Sequence, residues 1–320
     1  MAEIVITEFM DEAGVESLRG FDVHYDPQLF AQADRLDALL RDCRGLIVRN
    51  RTQVRQRLLD AAPRLEVVGR LGVGLDNIDL AACGARRLPV LPASGTNDDT
   101  VAEYVIGALL QMLRPRTFRA TEAVLEGRWP RTEVIGRDAK GLRLGLLGFG
   151  TIARQVAIRA RAFGLGVWAA DPFVGDADPA WAACQATRCE LPEMLPRIDV
   201  LSIHVPLTDA TRGLIDAKAL ASMPRGGYLI NTARGGIVDE PALIEALRDG
   251  RLAGAALDVV AQEPLPAGSA FVGVPNLFMS PHVAGITTDA NLRASLLTAE
   301  NVRCVLEKRK PPVADAAAPR

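Results

Sequence analysis

The stretch that decides the fold of this chain spans residues 142–171. It opens with an apolar run and a glycine turn, reading Leu142-Arg143-Leu144-Gly145-Leu146-Leu147-Gly148-Phe149-Gly150-Thr151-Ile152-Ala153. A second apolar run, Gly166-Val167-Trp168-Ala169-Ala170, ends at the acid Asp171. A strand, a glycine turn that opens a helix, and a second strand that closes on an acid together predict the βαβ unit of a dinucleotide-binding fold.

The residue types of this unit suit a pyrophosphate and a ribose. Gly148 permits a tight turn, Gly150 lets the backbone approach the pyrophosphate, and the helix N-terminus beyond them attracts the anion. Asp171 lies 21 residues after Gly150 (171 − 150), where its carboxylate can accept hydrogen bonds from both ribose hydroxyls. Because that carboxylate would repel a 2′-phosphate, we predict NAD(H) rather than NADP(H). The alternative is a glycine-rich turn in some other doubly wound protein.

Composition indicates a globular α/β protein of about two domains. Of the 320 residues, 49% are hydrophobic and 24% charged, and the formal net charge is −2. This charge gives no reason to expect nucleic acid or an anionic membrane as a partner. We recognise no signal peptide or membrane span, and the five cysteines are scattered without metal-site spacing. We therefore expect a cytoplasmic protein with reduced thiols and no bound metal.

Short apolar runs alternate with amphipathic stretches along most of the chain. This alternation predicts two doubly wound domains, each a parallel sheet with helices on both faces. We place the substrate-binding domain at residues 1–96 plus 291–320 and the NAD-binding domain at 97–290. The Arg-rich segment 115–140 does not resemble core and is predicted to be a dimer arm. The charged, Ala/Pro-rich tail from Lys308 is predicted to be disordered.

Polar and glycine-bearing motifs recur where the predicted strands end. They occupy residues 69–74, 148–150, 204–208, 231–236, 257–264 and 281–285. These motifs are distributed over nearly the whole chain. Through them the chain resembles the D-isomer-specific 2-hydroxyacid dehydrogenase family. It is similar to phosphoglycerate dehydrogenases, and because the sequence given ends at Arg320 we expect a short form without their regulatory C-terminal domain. Glu263 distinguishes the chain from the formate dehydrogenase branch, in which the family pattern places a glutamine.

The resemblance implies a flavodoxin-like substrate domain and a Rossmann NAD-binding domain with a cleft between them. It also implies an NAD-dependent oxidoreductase that interconverts a 2-hydroxy acid and its 2-oxo acid by hydride transfer. The expected partner is a small molecule of phosphoglycerate, hydroxypyruvate, glyoxylate or sulfolactate type, and the expected assembly is a homodimer. The alternative is a non-catalytic NAD(H)-binding sensor or corepressor on the same fold. Turnover of a 2-oxo acid would distinguish the enzyme from the sensor.

Three catalytic residues are implied by the resemblance. Arg234 resembles the residue that binds the substrate carboxylate and polarises the carbonyl, a role that suits a planar guanidinium. His282 resembles the general acid of reduction and the base of oxidation, and Glu263 resembles its partner. Taken singly, each residue has a structural alternative, as a strand cap, a loop histidine or a turn acid respectively.

The resemblance also implies residues that bind the substrate and the cofactor. Residues Leu71, Gly72, Val73 and Gly74 form a loop whose amides would hold the substrate carboxylate. The residues implied to line the cofactor site are Thr100, Gly148, Phe149, Gly150, Thr151, Ile152, Asp171, His204, Val205, Pro206, Thr211, Thr232, Ala233, Asp258 and Gly285. Among these, His204 is interpreted as cofactor wall rather than acid, and Asp258 as the contact to the nicotinamide amide.

Two cations follow the predicted strand that ends at Val48. Arg49 and Arg51 are candidates to bind a second anionic group on the substrate, such as a carboxylate, phosphate or sulfonate. The alternative is that Arg51 is a solvated residue at the start of a helix.

Overall fold

The computed structural model describes residues 2–318, without the side chain of Phe118. Met1, Pro319 and Arg320, which belong to the predicted substrate domain, lie outside the described residues. The chain divides into two compact units. The first consists of the chain up to Asn97 and the segment from Ile286 onward, and the second spans Asp98–Gly285.

The first unit contains a five-stranded parallel sheet. Its strands are β1 (Ile4–Ile6), β2 (Val23–Tyr25), β3 (Gly45–Val48), β4 (Val67–Arg70) and β5 (Val90–Pro92). Their spatial order is β2-β1-β3-β4-β5, the flavodoxin-like order. Successive residues of β3 enter different apolar clusters, since Leu46 and Val48 belong to one and Ile47 to the other. The sheet therefore has an apolar cluster on each face, as the fold-class prediction requires.

Four short helices connect these strands. They are α1 (Glu12–Glu16), α2 (Ala33–Leu40), α3 (Gln56–Ala61) and α4 (Leu80–Ala85), with a 3₁₀ turn at Leu29–Ala31. Asp79 is the N-cap of α4, because its side chain accepts a hydrogen bond from the Ala82 N–H. Asp79 therefore stabilises the start of α4.

The second unit contains a seven-stranded parallel sheet. Its strands are β6 (Arg143–Leu147), β7 (Gly166–Ala170), β8 (Ala186–Arg188), β9 (Val200–Ile203), β10 (Gly227–Asn231), β11 (Leu252–Leu257) and β12 (Leu277–Met279). The spatial order is β12-β11-β10-β9-β6-β7-β8. The order reverses between β6 and β9, as it does in a Rossmann fold. The predicted fold class, two doubly wound parallel sheets, is confirmed.

Seven helices accompany this second sheet in the described residues. They are α5 (Asp98–Leu113), α6 (Thr121–Leu125), α7 (Thr151–Ala162), α8 (Ala180–Ala183), α9 (Leu191–Met194), α10 (Ala217–Ser222) and α11 (Glu240–Arg248), with 3₁₀ turns at Thr117–Arg119, Leu195–Arg197 and Gly235–Ile237. Asp239 caps α11 by accepting a hydrogen bond from the Ala242 N–H. No helix among the described residues is long and apolar enough to cross a membrane.

The last helix, α12 (Thr288–Leu306), belongs to the first unit. A β-carbon added at Gly69 would lie 2.7 Å from a methyl group of Val302, so the glycine lets α12 approach β4 closely. Thr287 caps this helix by accepting from the Ala290 N–H. The chain passes from the second unit back to the first between Gly285 and Ile286. The predicted domain boundary, between residues 290 and 291, instead falls inside α12.

The tail after α12 pairs with the edge of the first sheet. Asp315 Oδ1 accepts a hydrogen bond from the Val90 N–H (2.8 Å), and the Ala316 N–H donates to the Val90 carbonyl (2.9 Å). Ala317 packs against the apolar cluster that contains Leu46 and Val90. The prediction that the tail is disordered is wrong for these residues. That prediction rested on composition alone, whereas β5 is an edge strand whose free side the tail covers.

Candidate functional site

One transverse row of residues aligns the carboxyl ends of the second sheet. Leu147 pairs with Ala170 and with Ile203, Ile203 with Asn231, Asn231 with Leu257, and Leu257 with Met279. One residue beyond this row come Gly148, Asp171, His204, Thr232, Asp258 and Ser280. The six loops that begin there share one edge of the sheet, so the candidate residues of the second unit lie together.

The glycine turn after β6 is forced by its surroundings. Gly148 has φ +92, and a β-carbon there would lie 2.6 Å from the His204 carbonyl oxygen. Gly150 is the N-cap of α7, and a β-carbon added there would have no contact within 4 Å. The exposed Thr151 and half-buried Ile152 follow it in the first turn of this 12-residue helix. The turn therefore presents helix N–H groups beside open space, as a pyrophosphate site requires.

Asp171 organises the loop beside this turn. Its Oδ2 accepts from the Phe149 N–H (2.8 Å) and its Oδ1 from the Phe173 N–H (2.9 Å). The Phe149 side chain is fully buried and stacks on Trp181 at 4.2 Å, so only its backbone can face a ligand. The Phe173 ring is 95% exposed. No role for Phe173 was predicted from the sequence, although an aromatic residue directly after Asp171 and Pro172 is a visible signal.

The adjacent strand end supplies two further polar groups. The Thr232 hydroxyl is buried and has no hydrogen-bond partner among the residues described. His204 Nε2 lies 2.8 Å from Ser202 Oγ, and burial lowers the pKa of His204 to about 4. His204 is therefore neutral at neutral pH, which suits a wall residue and not a general acid. The glycine turn, Asp171 and the unsatisfied Thr232 hydroxyl together fit a dinucleotide.

Other residues implied for the cofactor site have mainly structural contacts. Thr211 Oγ donates to the Pro206 carbonyl (2.6 Å) and accepts from the Thr208 N–H (2.8 Å), which closes the loop after β9. Val205 packs against an apolar cluster, and Thr100 is buried at the start of α5. Ala233 and Gly285 are half-buried in loops after β10 and β12.

Asp258 lies buried beside the turn that follows β12, and its implied contact with the nicotinamide amide stays a prediction. Its carboxylate is 1% exposed. It accepts from the Ser280 hydroxyl (2.5 Å) and from the Val283 and Ala284 N–H groups (2.8 Å each). In the described protein this carboxylate therefore organises the turn after β12. The sequence analysis missed Ser280, because no local pattern links it to a residue 22 positions earlier.

That turn carries His282. His282 has φ +57, and its backbone N–H donates to the Asp258 carbonyl (2.8 Å). His282 Nδ1 lies 2.8 Å from Glu263 Oε2, and Glu263 Oε1 accepts from the Val260 N–H (3.1 Å). Because an ionised carboxylate only accepts, the pair places the imidazole hydrogen on Nδ1. Nε2 is then the nitrogen with a free lone pair, which can take a proton from a hydroxyl.

Arg234 is held by the loop after β10. Asn231, fully buried, donates from Nδ2 to the Arg234 carbonyl (2.9 Å) and accepts at Oδ1 from the Ala233 N–H (3.0 Å). A β-carbon at Gly235 would lie 1.9 Å from the Val260 carbonyl carbon, so this position requires glycine. Arg234 Nη1 donates to the Ala233 carbonyl (2.6 Å). Arg234 was predicted from its motif, whereas no role was predicted for Asn231.

The first unit presents its own candidates at the ends of β3 and β4. Glu8 is 3% exposed and its carboxylate accepts from four consecutive N–H groups, those of residues 49–52, at 2.9–3.1 Å. Arg49 Nη2 donates to Asn291 Oδ1 (2.9 Å), and burial lowers the pKa of Arg49. In the described part of the chain no carboxylate forms an ion pair with Arg49. Glu8 was missed by the sequence analysis.

Arg51 and the loop after β4 complete these candidates. The Arg51 guanidinium lies 4.9 Å from the centroid of the Phe30 ring. The Leu71 side chain is 4% exposed and belongs to the core, so only its backbone can reach a ligand. Gly72 has φ +137, and Val73 is 38% exposed. Gly74 is half-buried.

No group of three or more His, Cys, Asp or Glu residues in the described ranges could hold a metal ion.

Comparisons with known proteins agree with this geometry. Residues 106–284 match the model of the family described as D-isomer specific 2-hydroxyacid dehydrogenase, NAD binding domain. An (S)-sulfolactate dehydrogenase of Chromohalobacter salexigens is 49% identical over 310 residues, which cover 97% of this chain and 100% of that protein. A human D-3-phosphoglycerate dehydrogenase is 35% identical over 293 residues, 92% of this chain and 54% of that protein. The chain thus spans about half the length of that enzyme.

Solved structures give the same result. The NADPH-dependent glyoxylate/hydroxypyruvate reductase of Sinorhizobium meliloti, in complex with NADP and malonate, is 29% identical, with a TM-score of 0.84 over 98% of this chain and 96% of that one. The D-lactate dehydrogenase of Aquifex aeolicus, complexed with NAD and lactic acid, is 25% identical, with a TM-score of 0.84 over 99% of this chain and 100% of that one. The chain belongs to the D-isomer-specific 2-hydroxyacid dehydrogenases, the NAD-dependent oxidoreductases of 2-hydroxy acids.

Proposed function

We propose that this protein oxidises a 2-hydroxy acid that carries a second strong anion, with (S)-sulfolactate as the first candidate, and reduces the matching 2-oxo acid. The observation that carries the proposal is Arg49, a partly buried guanidinium held by an amide oxygen and paired with no described carboxylate. A site of this kind favours an anionic group on a ligand. The (S)-sulfolactate dehydrogenase matched over its full length supports a sulfonate as that group.

In the proposed reaction, His282 and Glu263 handle the proton. During oxidation, His282 Nε2 takes the proton of the substrate 2-hydroxyl while Glu263 holds Nδ1–H and balances the charge that forms on the imidazole. During reduction the same nitrogen returns a proton to the carbonyl oxygen. NAD(H), held by the residues at the carboxyl edge of the second sheet, would supply the hydride acceptor for C2 in oxidation and the hydride donor in reduction. Proton transfer by such a pair contributes about 10² to 10⁴ in rate.

Arg234 is proposed to bind the C1 carboxylate and polarise the neighbouring carbonyl. Its loop is fixed by Asn231 and by the contact of Gly235 with the Val260 backbone. A rigid loop keeps the guanidinium in one orientation, which a planar 2-oxo acid requires for two parallel hydrogen bonds. The amides of residues 71–74 on the first unit are proposed to assist at the substrate carboxylate, so we assign substrate binding to that unit.

The residues proposed to hold NAD(H) are those at the carboxyl edge of the second sheet. Gly150 and Thr151 would receive the pyrophosphate at the start of α7, and Asp171 the ribose hydroxyls. The exposed Phe173 ring would offer its flat face to the adenine. Thr232 would hydrogen-bond near the nicotinamide, since its buried hydroxyl needs a partner.

We also propose a cytoplasmic homodimer. Three large apolar side chains of segment 115–140 are strongly exposed, namely Leu125 (82%), Trp129 (72%) and Ile135 (76%). A cluster of this kind is expected to be covered by a second copy of the chain. All five cysteines are free thiols, as in a reducing compartment. Light scattering would contradict the dimer if it gave the mass of one chain, and cell fractionation tests the location.

Substrate profiling tests the function. Oxidation of NADH would be followed with 3-sulfopyruvate, phosphohydroxypyruvate, hydroxypyruvate and glyoxylate. We expect the highest kcat/KM for sulfopyruvate, at least tenfold above glyoxylate. Equal kcat/KM for glyoxylate and the dianionic acids would refute the second-anion proposal. Tight NADH binding with no turnover of any of the four acids would instead favour a sensor.

A further inference from the structure

Three side chains form a hydrogen-bonded series that ends at the turn of His282. Tyr104 lies on α5, Ser280 directly follows β12, and Asp258 directly follows β11. The Tyr104 hydroxyl oxygen lies 2.6 Å from Ser280 Oγ, and the Ser280 hydroxyl donates to Asp258 Oδ1 over 2.5 Å. Ser280 has one hydroxyl hydrogen and gives it to the carboxylate, so Tyr104 must donate to Ser280. The direction of the series is therefore fixed.

Asp258 connects this series to the turn that carries His282. Its carboxylate accepts from the Val283 and Ala284 N–H groups, and its carbonyl accepts from the His282 N–H, all at 2.8 Å. Three consecutive N–H groups are thus fixed by one residue. His282 itself has φ +57, a conformation that side-chain-bearing residues rarely adopt and that persists only where the surroundings hold it.

We infer that Tyr104 is a positioning residue for proton transfer, which acts through Ser280 and Asp258 to hold the turn that presents the His282 imidazole. The inference rests on the role proposed above for His282. Tyr104 is partly buried against the core of the second unit. Burial also raises the pKa of Tyr104, so its hydroxyl remains protonated and continues to donate across the physiological pH range.

The hydroxyl matters because of how Asp258 is surrounded. A buried carboxylate depends on hydrogen-bond donors unless a cation neutralises it. Within the described chain no cation pairs with Asp258. Without the Tyr104 hydroxyl, Ser280 Oγ loses its own donor and its side chain can rotate away from the carboxylate. The turn then has one hydrogen bond fewer for part of the time, and His282 is less often in the reactive orientation.

The test uses four variants of the full chain and one control. Tyr104→Phe, Ser280→Ala, Ser280→Thr and the double variant Tyr104→Phe/Ser280→Ala are compared by kcat, KM and NADH affinity. We expect Tyr104→Phe to lower kcat about three- to tenfold, the value of one hydrogen bond, with KM, NADH affinity and melting temperature unchanged. Ser280→Thr should keep nearly full activity. The control Tyr25→Phe removes a hydroxyl that donates to the Met10 carbonyl on the first unit and should have no effect.

The double variant separates positioning from general destabilisation. If the residues act in series, the double variant should be no slower than Ser280→Ala alone. A loss equal to the product of the single losses, or wild-type kcat in Tyr104→Phe, would overturn the inference.

A second readout does not depend on turnover. The chain has only three histidines, so the imidazole resonances of His282 can be assigned, and they should shift in Tyr104→Phe but not in Tyr25→Phe. An unshifted His282 resonance would also overturn the inference. If the wild-type protein reduces none of the 2-oxo acids, the proposed function fails, and the resonance still tests Tyr104 separately.

Discussion

His282 Nδ1 lies 2.8 Å from Glu263 Oε2, although the two residues stand 19 positions apart in the chain. Each partner is fixed a second time by backbone, His282 through its N–H to the Asp258 carbonyl and Glu263 through Oε1 to the Val260 N–H. The pair is therefore oriented before any substrate binds, and preorganisation of this kind is what proton transfer requires. Both side chains remain partly exposed, at 44% and 37%, so a ligand can reach the imidazole.

Removing either partner of this pair should lower kcat while leaving cofactor binding intact. We expect His282→Ala to reduce kcat by about 10² to 10⁴. Glu263→Gln should have a smaller effect, about tenfold or more, because the amide accepts a hydrogen bond but cannot balance the imidazolium charge. Steady-state kinetics and NADH fluorescence titration measure the two quantities. The control is Glu245→Gln, an exposed acid of the same unit that pairs with Arg248. Retained turnover in His282→Ala would exclude this residue as the acid.

Arg49 and Arg51 should differ in their effect on substrate affinity. Both guanidinium groups lie over an aromatic ring, but Arg49 is partly buried and donates to Asn291, whereas Arg51 is exposed. We expect Arg49→Gln to raise the KM for sulfopyruvate at least tenfold, with a smaller change in the KM for glyoxylate, because only the former has a second anion. Arg51→Gln, the matched control, should change both KM values less than threefold. The idea of a second-anion site at Arg49 fails if the two arginine variants behave alike or if both substrates are affected equally.

The sequence predicted where the second-unit candidates lie because parallel strands end at one edge. The residues that directly follow β6, β7, β9, β10 and β11 all lie one position beyond a single row of the sheet; they are Gly148, Asp171, His204, Thr232 and Asp258. The contacts of Asp258 could not be predicted, because they join residues 22 to 26 positions apart. The pairing of the tail with Val90 spans 225 positions and depends on an open sheet edge that local patterns do not encode.

Asp171 should determine the choice between NADH and NADPH. Its carboxylate is fixed by the Phe149 and Phe173 N–H groups, so it cannot easily turn away from a 2′-phosphate. We expect Asp171→Ser to raise the KM for NADH about tenfold or more and to reduce the discrimination against NADPH, since one negative charge is removed. The matched control is Asp176→Ser, whose side chain is 82% exposed. The ratio of kcat/KM for the two cofactors is the measurement, and an unchanged ratio in Asp171→Ser would contradict the assignment.

His204 should make the folded protein less stable as the pH falls from about 6.5 to 4. Burial lowers the pKa of His204 to about 4, whereas an unfolded histidine titrates near 6.5. Between these values the unfolded chain binds more protons than the folded one, so the free energy of unfolding falls with decreasing pH and levels off below pH 4. The difference of about 2.5 pH units corresponds to a loss on the order of 3 kcal/mol.

The Glu8 carboxylate of the first unit should respond only at lower pH. Burial would raise the pKa of Glu8, but its hydrogen bonds from the Thr52, Arg51 and Arg49 backbone outweigh burial, so this pKa lies below the ordinary value of 4.5. Its stabilisation is present above pH 4.5 and is lost as the pH falls through the lowered value.

Urea midpoints measured for the wild type and His204→Asn at pH 7.5, 6.5, 5.5 and 4.5 therefore isolate the histidine. The variant should lose less of its midpoint than the wild type over this range, and parallel curves for the two proteins would show that His204 is not buried as a neutral imidazole.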